Sequence, residues 1–199
     1  MRNTEPAKFI YFFTYVLVKT VLNLLFVLRI QGRENVPLKG PCILAANHVS
    51  FFDAPTIAVA CPRQVHFLAR KTLFDRRPFS TLISSLGAFP IERQRPRQAL
   101  RTSLSILRGD RCLLVFPEGT RSKSGRMQEG QPGIGFLAIR GRCPVIPVHI
   151  SGTERVFPVG AKWIHPGPVT VSFGAPLLFN GTDYTEIVFS IMRAVGELP

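Results

Sequence analysis

A histidine and an aspartate stand five positions apart after the apolar run CILAA, in the stretch NHVSFFD that begins at Asn47. An imidazole has an unperturbed pKa near neutrality, so a histidine at the end of a strand can accept a proton from a substrate hydroxyl. Such a base needs a carboxylate that fixes its tautomer and stabilises the imidazolium, and Asp53 is the only carboxylate near His48 in sequence. The spacing predicts a general-base pair of His48 and Asp53.

The geometry of this pair depends on where the next helix begins. Within one continuous helix, five residues would turn Asp53 about 140° away from His48. Pro55 is best tolerated in a first helical turn, which favours a helix that starts near Asp53. His48 then lies on the preceding loop, and the turn can bring the carboxylate back to the imidazole. The chain contains no G-x-S-x-G motif, so the base would act on a substrate hydroxyl directly.

A second polar stretch, FPEGTRS at residues 116–122, continues from another apolar run, CLLVF. Gly119 allows close approach of a ligand, and Thr120 with exposed backbone N–H groups can bind an anion. Arg121 offers a planar fork for a phosphate, and Glu118 can accept a hydrogen bond from a hydroxyl. Together these groups suit a phosphorylated polyol, and an ordinary turn with a surface arginine is the alternative.

A third candidate is the stretch GAFPIERQ at residues 87–94. Arg93 could complete the phosphate pocket, and Glu92 with Arg93 could equally form a surface ion pair. No histidines, cysteines and carboxylates have the spacing of a metal site, so no metal is expected. The cysteines form no CxxC pair and are predicted to be reduced core residues. They are Cys42, Cys61, Cys112 and Cys143.

Apolar runs alternate with helix-like stretches along most of the chain. The predicted strands are residues 42–47, 65–69, 112–116, 144–150 and 169–173. The predicted helices are residues 54–61, 78–86, 96–108, 132–140 and 184–197. This alternation predicts an α/β fold with a mainly parallel central sheet covered by helices. Polar residues that follow parallel strands then lie at one edge of the sheet, where such folds place their ligands.

Residues 9–28 form an apolar segment in which only Thr14, Lys19, Thr20 and Asn23 are polar. As a helix the segment would span about 30 Å, roughly the thickness of the hydrocarbon core of a bilayer. Lys19 near its middle argues against an ordinary transmembrane span. A helix that lies in the membrane interface, with its lysines toward the headgroups, fits the pattern better, and a buried core helix is the alternative.

The chain of 199 residues is strongly basic, with 25 lysines and arginines against 12 acidic residues and a formal charge of +13. This balance indicates an anionic partner, which could be nucleic acid, an anionic membrane or a phosphorylated substrate. Nucleic-acid binding favours aromatic residues interleaved with the basic ones on an exposed sheet. Most phenylalanines here lie in apolar runs instead, so no nucleic-acid partner is expected.

The stretches NHVSFFD, GAFPIER, FPEGTRS and VIPV occur in the order and rough spacing of four motif blocks. In this respect the chain resembles the glycerol-phosphate acyltransferase family, and within it the lysophosphatidic acid acyltransferases. The likeness covers roughly residues 30–175. It implies a membrane-associated helix over residues 1–30 and an acyltransferase domain over residues 31–199, at the cytoplasmic face of a membrane.

The resemblance implies transfer of a fatty acyl group from an acyl thioester to the free hydroxyl of 1-acyl-glycerol-3-phosphate, which gives phosphatidic acid. The thioester would be acyl-CoA or an acyl carrier protein, used as co-substrate without any further cofactor. Another lysolipid, such as a lyso-ornithine lipid or a lysocardiolipin, is an alternative acceptor. A non-catalytic basic module that binds membranes or nucleic acid is the alternative from another functional class.

The resemblance also implies roles for individual residues. His48 would deprotonate the acceptor hydroxyl while Asp53 orients the imidazole, without a covalent acyl-enzyme. Glu118 would lie close to the glycerol part of the acceptor. The acceptor phosphate would be held by Lys71, Arg93, Gly119 and Arg121.

Overall fold

The fold is described by a computed structural model that covers the backbone of residues 5–92, 94–122 and 124–199, with side chains described from residue 11 onward. Its strands are β1 (Phe26–Gln31), β2 (Cys42–Ala46), β3 (Val65–Arg70), β4 (Ala88–Ile91), β5 (Cys112–Val115), β6 (Val145–Ser151) and β7 (Gly167–Phe173). Its α-helices are α1 (Glu5–Leu25), α2 (Asp53–Ala60), α3 (Phe79–Ser85), α4 (Pro96–Arg108), α5 (Pro132–Gly141), α6 (Thr153–Val156) and α7 (Tyr184–Gly196).

The strands of this part of the chain form one sheet in the order β1-β7-β6-β2-β5-β3-β4. Every neighbouring pair is parallel except β6 with β7, so β1 and β7 run opposite to the other strands. The residues that precede β1 and β7 therefore lie at the same edge of the sheet as the residues that follow β2, β5 and β6. We call this edge the carboxyl edge.

Both faces of the sheet are buried at its central strands β2, β5 and β6, which explains why these strands read as continuous apolar runs. On one face Leu44 packs in a cluster with Ile57 of α2 and Phe26 of β1. On the other face Ile43 packs in a cluster with Ile191 of α7. Burial of each such side chain stabilises the fold by roughly 1.5–3 kcal/mol.

The predicted α/β fold, with a mainly parallel sheet covered by helices, is confirmed. The predicted strands and the helices predicted from residue 54 onward lie within two residues of the observed bounds. The predicted burial of the cysteines is confirmed, and all four are free thiols. Strand β1, the short β4 and the single turn of α6 were not predicted from the sequence.

The N-terminal helix predicted over residues 9–28 is wrong at its carboxyl end, because α1 ends at Leu25 and residues 26–31 form β1. The apolar residues of β1 continue the apolar pattern of the helix, so the local sequence does not mark the boundary. Pairing with β7, along a register from Phe26 opposite Gly167 to Gln31 opposite Ser172, makes the segment a strand. The division of the chain into units at residue 30 remains a prediction.

Helix α1 has one face in the protein and one face outside it. Leu22 is 1% exposed, and Tyr15 donates a hydrogen bond to the carbonyl of Val59 in α2 at 3.4 Å. Opposite this face lie exposed large apolar side chains, among them Phe12, Phe13, Val16, Leu17, Val21 and Leu24. No helix among the described residues is both long and apolar enough to cross a membrane. The packed face of α1 agrees with part of the alternative prediction of a buried core helix. The location of α1 in a membrane interface remains a prediction.

Candidate active site

The residues His48 and Asp53 meet at the carboxyl edge. Strand β2 ends at Ala46, His48 lies on the following loop, and α2 begins at Asp53, as the position of the proline had indicated. The Nδ1 atom of His48 lies 2.8 Å from Oδ2 of Asp53. The structure therefore brings the predicted pair into direct contact.

Asp53 is surrounded by hydrogen-bond donors. Its Oδ2 also accepts the backbone N–H groups of Val49 at 2.7 Å and Ser50 at 2.8 Å. Its Oδ1 accepts the hydroxyl of Thr153 at 2.6 Å. The side chain is 0% exposed, and these bonds offset the cost of burying a carboxylate. The carboxylate is consequently held in one orientation toward His48.

The imidazole of His48 is fixed from a second direction by Phe116, the last residue of the apolar run before FPEGTRS. The two rings are stacked, with centroids 3.9 Å apart and an angle of 16° between their planes. Because Asp53 holds Nδ1, the remaining ring nitrogen, Nε2, is the one that can meet a substrate. The side chain of His48 is 20% exposed, so the ring is packed yet still accessible.

Glu118 ties the two polar stretches together. Its Oε1 accepts the backbone N–H of His48 at 2.7 Å, and its Oε2 accepts the backbone N–H of Gln128 at 3.0 Å. The backbone N–H of Ser122 donates in turn to the carbonyl of His48 at 2.8 Å. Burial raises the pKa of Glu118, and hydrogen bonds from His48 and Gln128 oppose part of this rise. The carboxylate therefore positions His48, and its predicted proximity to a glycerol group remains a prediction.

The turn after Glu118 presents the residues predicted to bind phosphate. Gly119 has a φ of +68°, in the left-handed region that favours glycine, and Thr120 is exposed. The guanidinium carbon of Arg121 lies 5.9 Å from the ring centroid of Phe51, which belongs to the loop that carries His48. Arg121 thus contacts the loop that carries His48, at the carboxyl edge.

Lys71 and Arg93 are the other two residues predicted to bind the phosphate. Lys71 begins a short 3-10 helix, Lys71–Phe74, after β3, and its Nζ lies 3.4 Å from Oε1 of Glu92. Glu92 also pairs with Arg95 at 2.9 Å. Arg93 lies outside the described residues, so its role remains a prediction.

Sequence reasoning missed two residues that support the pair. Thr153 follows β6 and reaches Asp53 across the carboxyl edge. Asn47 donates to the carbonyl of Ile150 at 2.9 Å and accepts the N–H of Ile150 at 2.8 Å, which joins the ends of β2 and β6. The sequence signal that could have drawn attention to Thr153 was a third polar stretch, SGT, directly after the strand-like run VIPVHI.

The geometry agrees with the sequence relationships of the chain. A family model described as Acyltransferase matches residues 27–151, a range that runs from β1 to the last residue of β6. This chain belongs to the acyltransferase family. In this acyltransferase the matched range contains His48, Asp53 and the whole FPEGTRS stretch.

Relatives of this acyltransferase have consistent names. It is 30% identical over 159 residues to a chloroplastic 1-acyl-sn-glycerol-3-phosphate acyltransferase of Brassica napus, covering 77% of this chain and 46% of the relative. It is 26% identical over 165 residues to the 1-acyl-sn-glycerol-3-phosphate acyltransferase of Bacillus subtilis, covering 80% of this chain and 78% of the relative. The chain thus spans about half the length of the plant relatives it matches.

A solved structure has the same fold as this acyltransferase. The crystal structure of the 1-acyl-sn-glycerophosphate (LPA) acyltransferase PlsC from Thermotoga maritima superposes with a TM-score of 0.82 at 26% sequence identity. The alignment covers 98% of this chain and 82% of the Thermotoga chain. The fold resemblance therefore includes α1 and β1, which precede the range of the family model.

Proposed function

We propose that this acyltransferase moves a fatty acyl group from an acyl thioester to the free hydroxyl of 1-acyl-glycerol-3-phosphate and so makes phosphatidic acid. The observation that carries the proposal is the contact of His48 with Asp53 beside the turn that presents Arg121. A base next to a phosphate-binding arginine fits an acceptor with both a hydroxyl and a phosphate. The names of the relatives favour the same acceptor.

The reaction follows from the orientation of the imidazole. Nε2 of His48 takes the proton of the acceptor hydroxyl, and Asp53 stabilises the imidazolium that forms. The acceptor oxygen attacks the thioester carbon, an ester C–O bond forms and the C–S bond breaks. The departing thiolate takes the proton from Nε2, which returns His48 to its starting state. Neither a covalent acyl-enzyme nor a cofactor is part of this scheme, and acyl-CoA or an acyl carrier protein serves as co-substrate.

The acceptor phosphate is assigned to the turn at Gly119 and Arg121. The left-handed backbone at Gly119 allows a phosphate to approach the N–H groups of the turn, and the guanidinium supplies a bidentate donor. Lys71 and Arg93 are proposed to add positive charge around the same phosphate. Their residue types and the +13 charge of the chain support this assignment.

Helix α1 is proposed to lie in one leaflet at the cytoplasmic face of a membrane. Its outward side chains are apolar, with Phe12 and Phe13 each 61% exposed and Leu17 57% exposed. Lys19 is exposed, with its Nζ 5.9 Å from the ring centroid of Tyr15 on the packed side of the helix, and its apolar stem can carry the ammonium to the headgroups. In this position the acceptor keeps its acyl chain in the lipid while its headgroup reaches Arg121.

A donor-by-acceptor activity matrix on the purified protein in detergent tests the proposed reaction. Donors are acyl-CoA and acyl carrier protein thioesters, and acceptors are lysophosphatidate, a lyso-ornithine lipid and a lysocardiolipin. We expect lysophosphatidate to be the best acceptor and the activity to disappear in His48→Ala. A higher rate with another lysolipid would mean that this lipid, and not lysophosphatidate, is the acceptor. Absence of acyl transfer to every lysolipid tested would reject the proposed function.

A further inference from the structure

We propose that the loop before β7 makes a second contact with an anionic lipid bilayer, in addition to the contact made by α1, through Trp163 and Ile164. These two side chains belong to a group that we call the apolar rim. The rim consists of Leu24, Val27, Phe51, Trp163 and Ile164. This inference rests on the proposed function, because it places the membrane next to His48, the proposed base that acts on a lipid acceptor.

Strand direction places the rim at the carboxyl edge. Strands β1 and β7 are parallel neighbours, and Phe26 pairs with Gly167 at their first residues. The residues just before these strands, Leu24 and Trp163 among them, therefore lie at the edge where β2, β5 and β6 end. His48 follows β2 at this same edge. The rim thus lies on the side of the protein on which the proposed chemistry takes place.

Aromatic contacts fix the loop relative to the active site. The ring of Phe52, which precedes Asp53, lies 5.6 Å from that of Phe26 and 5.6 Å from that of Phe157, with near-perpendicular planes in both pairs. The hydroxyl of Ser50 donates to the carbonyl of Phe157 at 2.7 Å. The loop that begins at Phe157 is therefore attached to the loop that carries His48.

The chemistry of the rim suits the headgroup region of a bilayer. Trp163 is 77% exposed, Leu24 is 78% exposed and Val27 is 64% exposed. An indole prefers the membrane interface, where its ring is in lipid and its N–H is hydrated. Lys162 precedes the tryptophan and is exposed, so its ammonium can bind lipid phosphates. Arg155 of α6 is 84% exposed with its Nε 3.6 Å from Oε1 of Glu154, an exposed ion pair that adds little to the stability of the fold and can be exchanged for a lipid phosphate.

A bilayer fits better than a protein partner for two reasons. The rim continues through Leu24 onto the outward face of α1, so its exposed apolar surface extends over more than one element. The proposed acceptor has one acyl chain and the product has two, so both remain in lipid and His48 must be held at headgroup depth. An acyl carrier protein or a second copy of the chain could cover this surface but would not supply lipid for these acyl chains.

Trp163 is the single tryptophan of the chain, so its fluorescence reports on this loop alone. The full-length protein is mixed with vesicles of phosphatidylcholine and phosphatidylglycerol, or of phosphatidylcholine alone. We expect a blue shift of the emission and quenching by brominated acyl chains, both stronger with the anionic vesicles. Vesicle binding of Trp163→Ser should be weaker by about tenfold, because one large side chain no longer enters lipid.

Phe189 supplies a matched control, since it is 66% exposed on α7, which packs on the other face of the sheet. Phe189→Ser should bind vesicles like the unchanged protein. The inference is overturned if the protein sediments with vesicles and makes phosphatidic acid while the Trp163 emission stays unchanged. It is also overturned if the emission responds to an acyl carrier protein and not to vesicles. The proposed function is tested separately by acyl transfer to soluble short-chain lysophosphatidate in detergent. Absence of this transfer would reject the proposed function without bearing on the membrane contact.

Discussion

The hydroxyl of Thr153 donates a hydrogen bond to Oδ1 of Asp53 with 2.6 Å between the oxygens, and both side chains are fully buried. Oδ2 of the same carboxylate faces Nδ1 of His48. Thr153, Asp53 and His48 thus form a continuous chain of polar contacts from the end of β6 to the proposed reacting nitrogen. The threonine acts on the imidazole only through the carboxylate, so we regard it as a positioning residue.

We expect Thr153→Val to lower kcat by tenfold to a hundredfold, because a hydrogen bond to a charged group contributes roughly 1.5–3 kcal/mol. KM for the acceptor should change little, since Thr153 lies behind Asp53 and away from the phosphate-binding turn. Thr153→Ser keeps the hydroxyl and should recover most of the rate. Steady-state kinetics of both variants provide the measurement, and an equal loss in the serine variant would mean that packing of the methyl group matters instead.

The base itself is tested by His48→Ala, which should lower kcat by at least about a hundredfold. Asp53→Asn should also impair kcat, because an amide neither stabilises the imidazolium nor selects the same tautomer. Circular dichroism and thermal unfolding establish that each variant is folded. Near-normal turnover by a folded His48→Ala protein would remove this residue from the mechanism.

Arg121→Ala should lower kcat/KM for the acceptor by tenfold to a hundredfold, the scale of one charge-assisted hydrogen bond. The apparent affinity for the thioester donor should change less, because the guanidinium is assigned to the acceptor phosphate. Arg126→Ala is the matched control, since Arg126 is an exposed arginine five residues away. Equal effects of both substitutions would show that general surface charge, and not a phosphate site, is responsible.

His66 predicts a dependence of stability on pH. Burial lowers the pKa of His66 to about 4, with Arg111 adding to the effect. In the unfolded chain the imidazole takes up a proton below a pH of about 6.5, whereas in the folded protein it stays neutral until a pH of about 4. The free energy of unfolding is therefore highest above this range and falls as the pH drops through it, by about 3 kcal/mol at most.

Urea unfolding at neutral pH and at about pH 5, within the range between the two pKa values, measures this loss. Substitution of His66→Phe should remove the histidine-dependent part, and it is expected to be tolerated because Nδ1 of His66 lacks a hydrogen-bond partner among the described residues. The exposed His165 supplies the control variant His165→Gln, which should keep the pH dependence of the unchanged protein. The assignment fails if His66→Phe retains that dependence as well.

The sequence was sufficient for those parts of the fold and site that depend on local patterns. The run CILAA and the first three residues of CLLVF are buried on both faces of the sheet, so apolar continuity alone marked these runs as strands. Because parallel strands end at one edge, the polar stretches after these runs were expected to meet, and Glu118 does contact the backbone of His48. Pro55 correctly indicated where α2 begins.

Parts that depend on distant partners were not predictable in this way. Strand β1 looks like a continuation of α1 until β7 provides the pairing edge. Thr153 stands 100 residues from Asp53, and the stretch SGT that contains it marks a strand end without identifying Asp53 as its partner. Both oxygens of Glu118 accept backbone N–H groups from other parts of the chain, which the sequence did not indicate, and its proximity to the glycerol part of the acceptor remains a prediction. In each case the deciding interaction is tertiary.

The two-sided character of α1 has a practical consequence for preparing the protein. Leu22 lies in the core at 1% exposure, whereas Leu24, two residues later, is 78% exposed. Truncating the helix would remove core packing together with the outward apolar surface, so loss of membrane affinity could not be separated from loss of folding. Substituting glutamine only at outward positions such as Phe12, Phe13 and Leu17 leaves the packed face intact. A detergent-free form of the protein is therefore expected from changes on one side of the helix, with its full length retained.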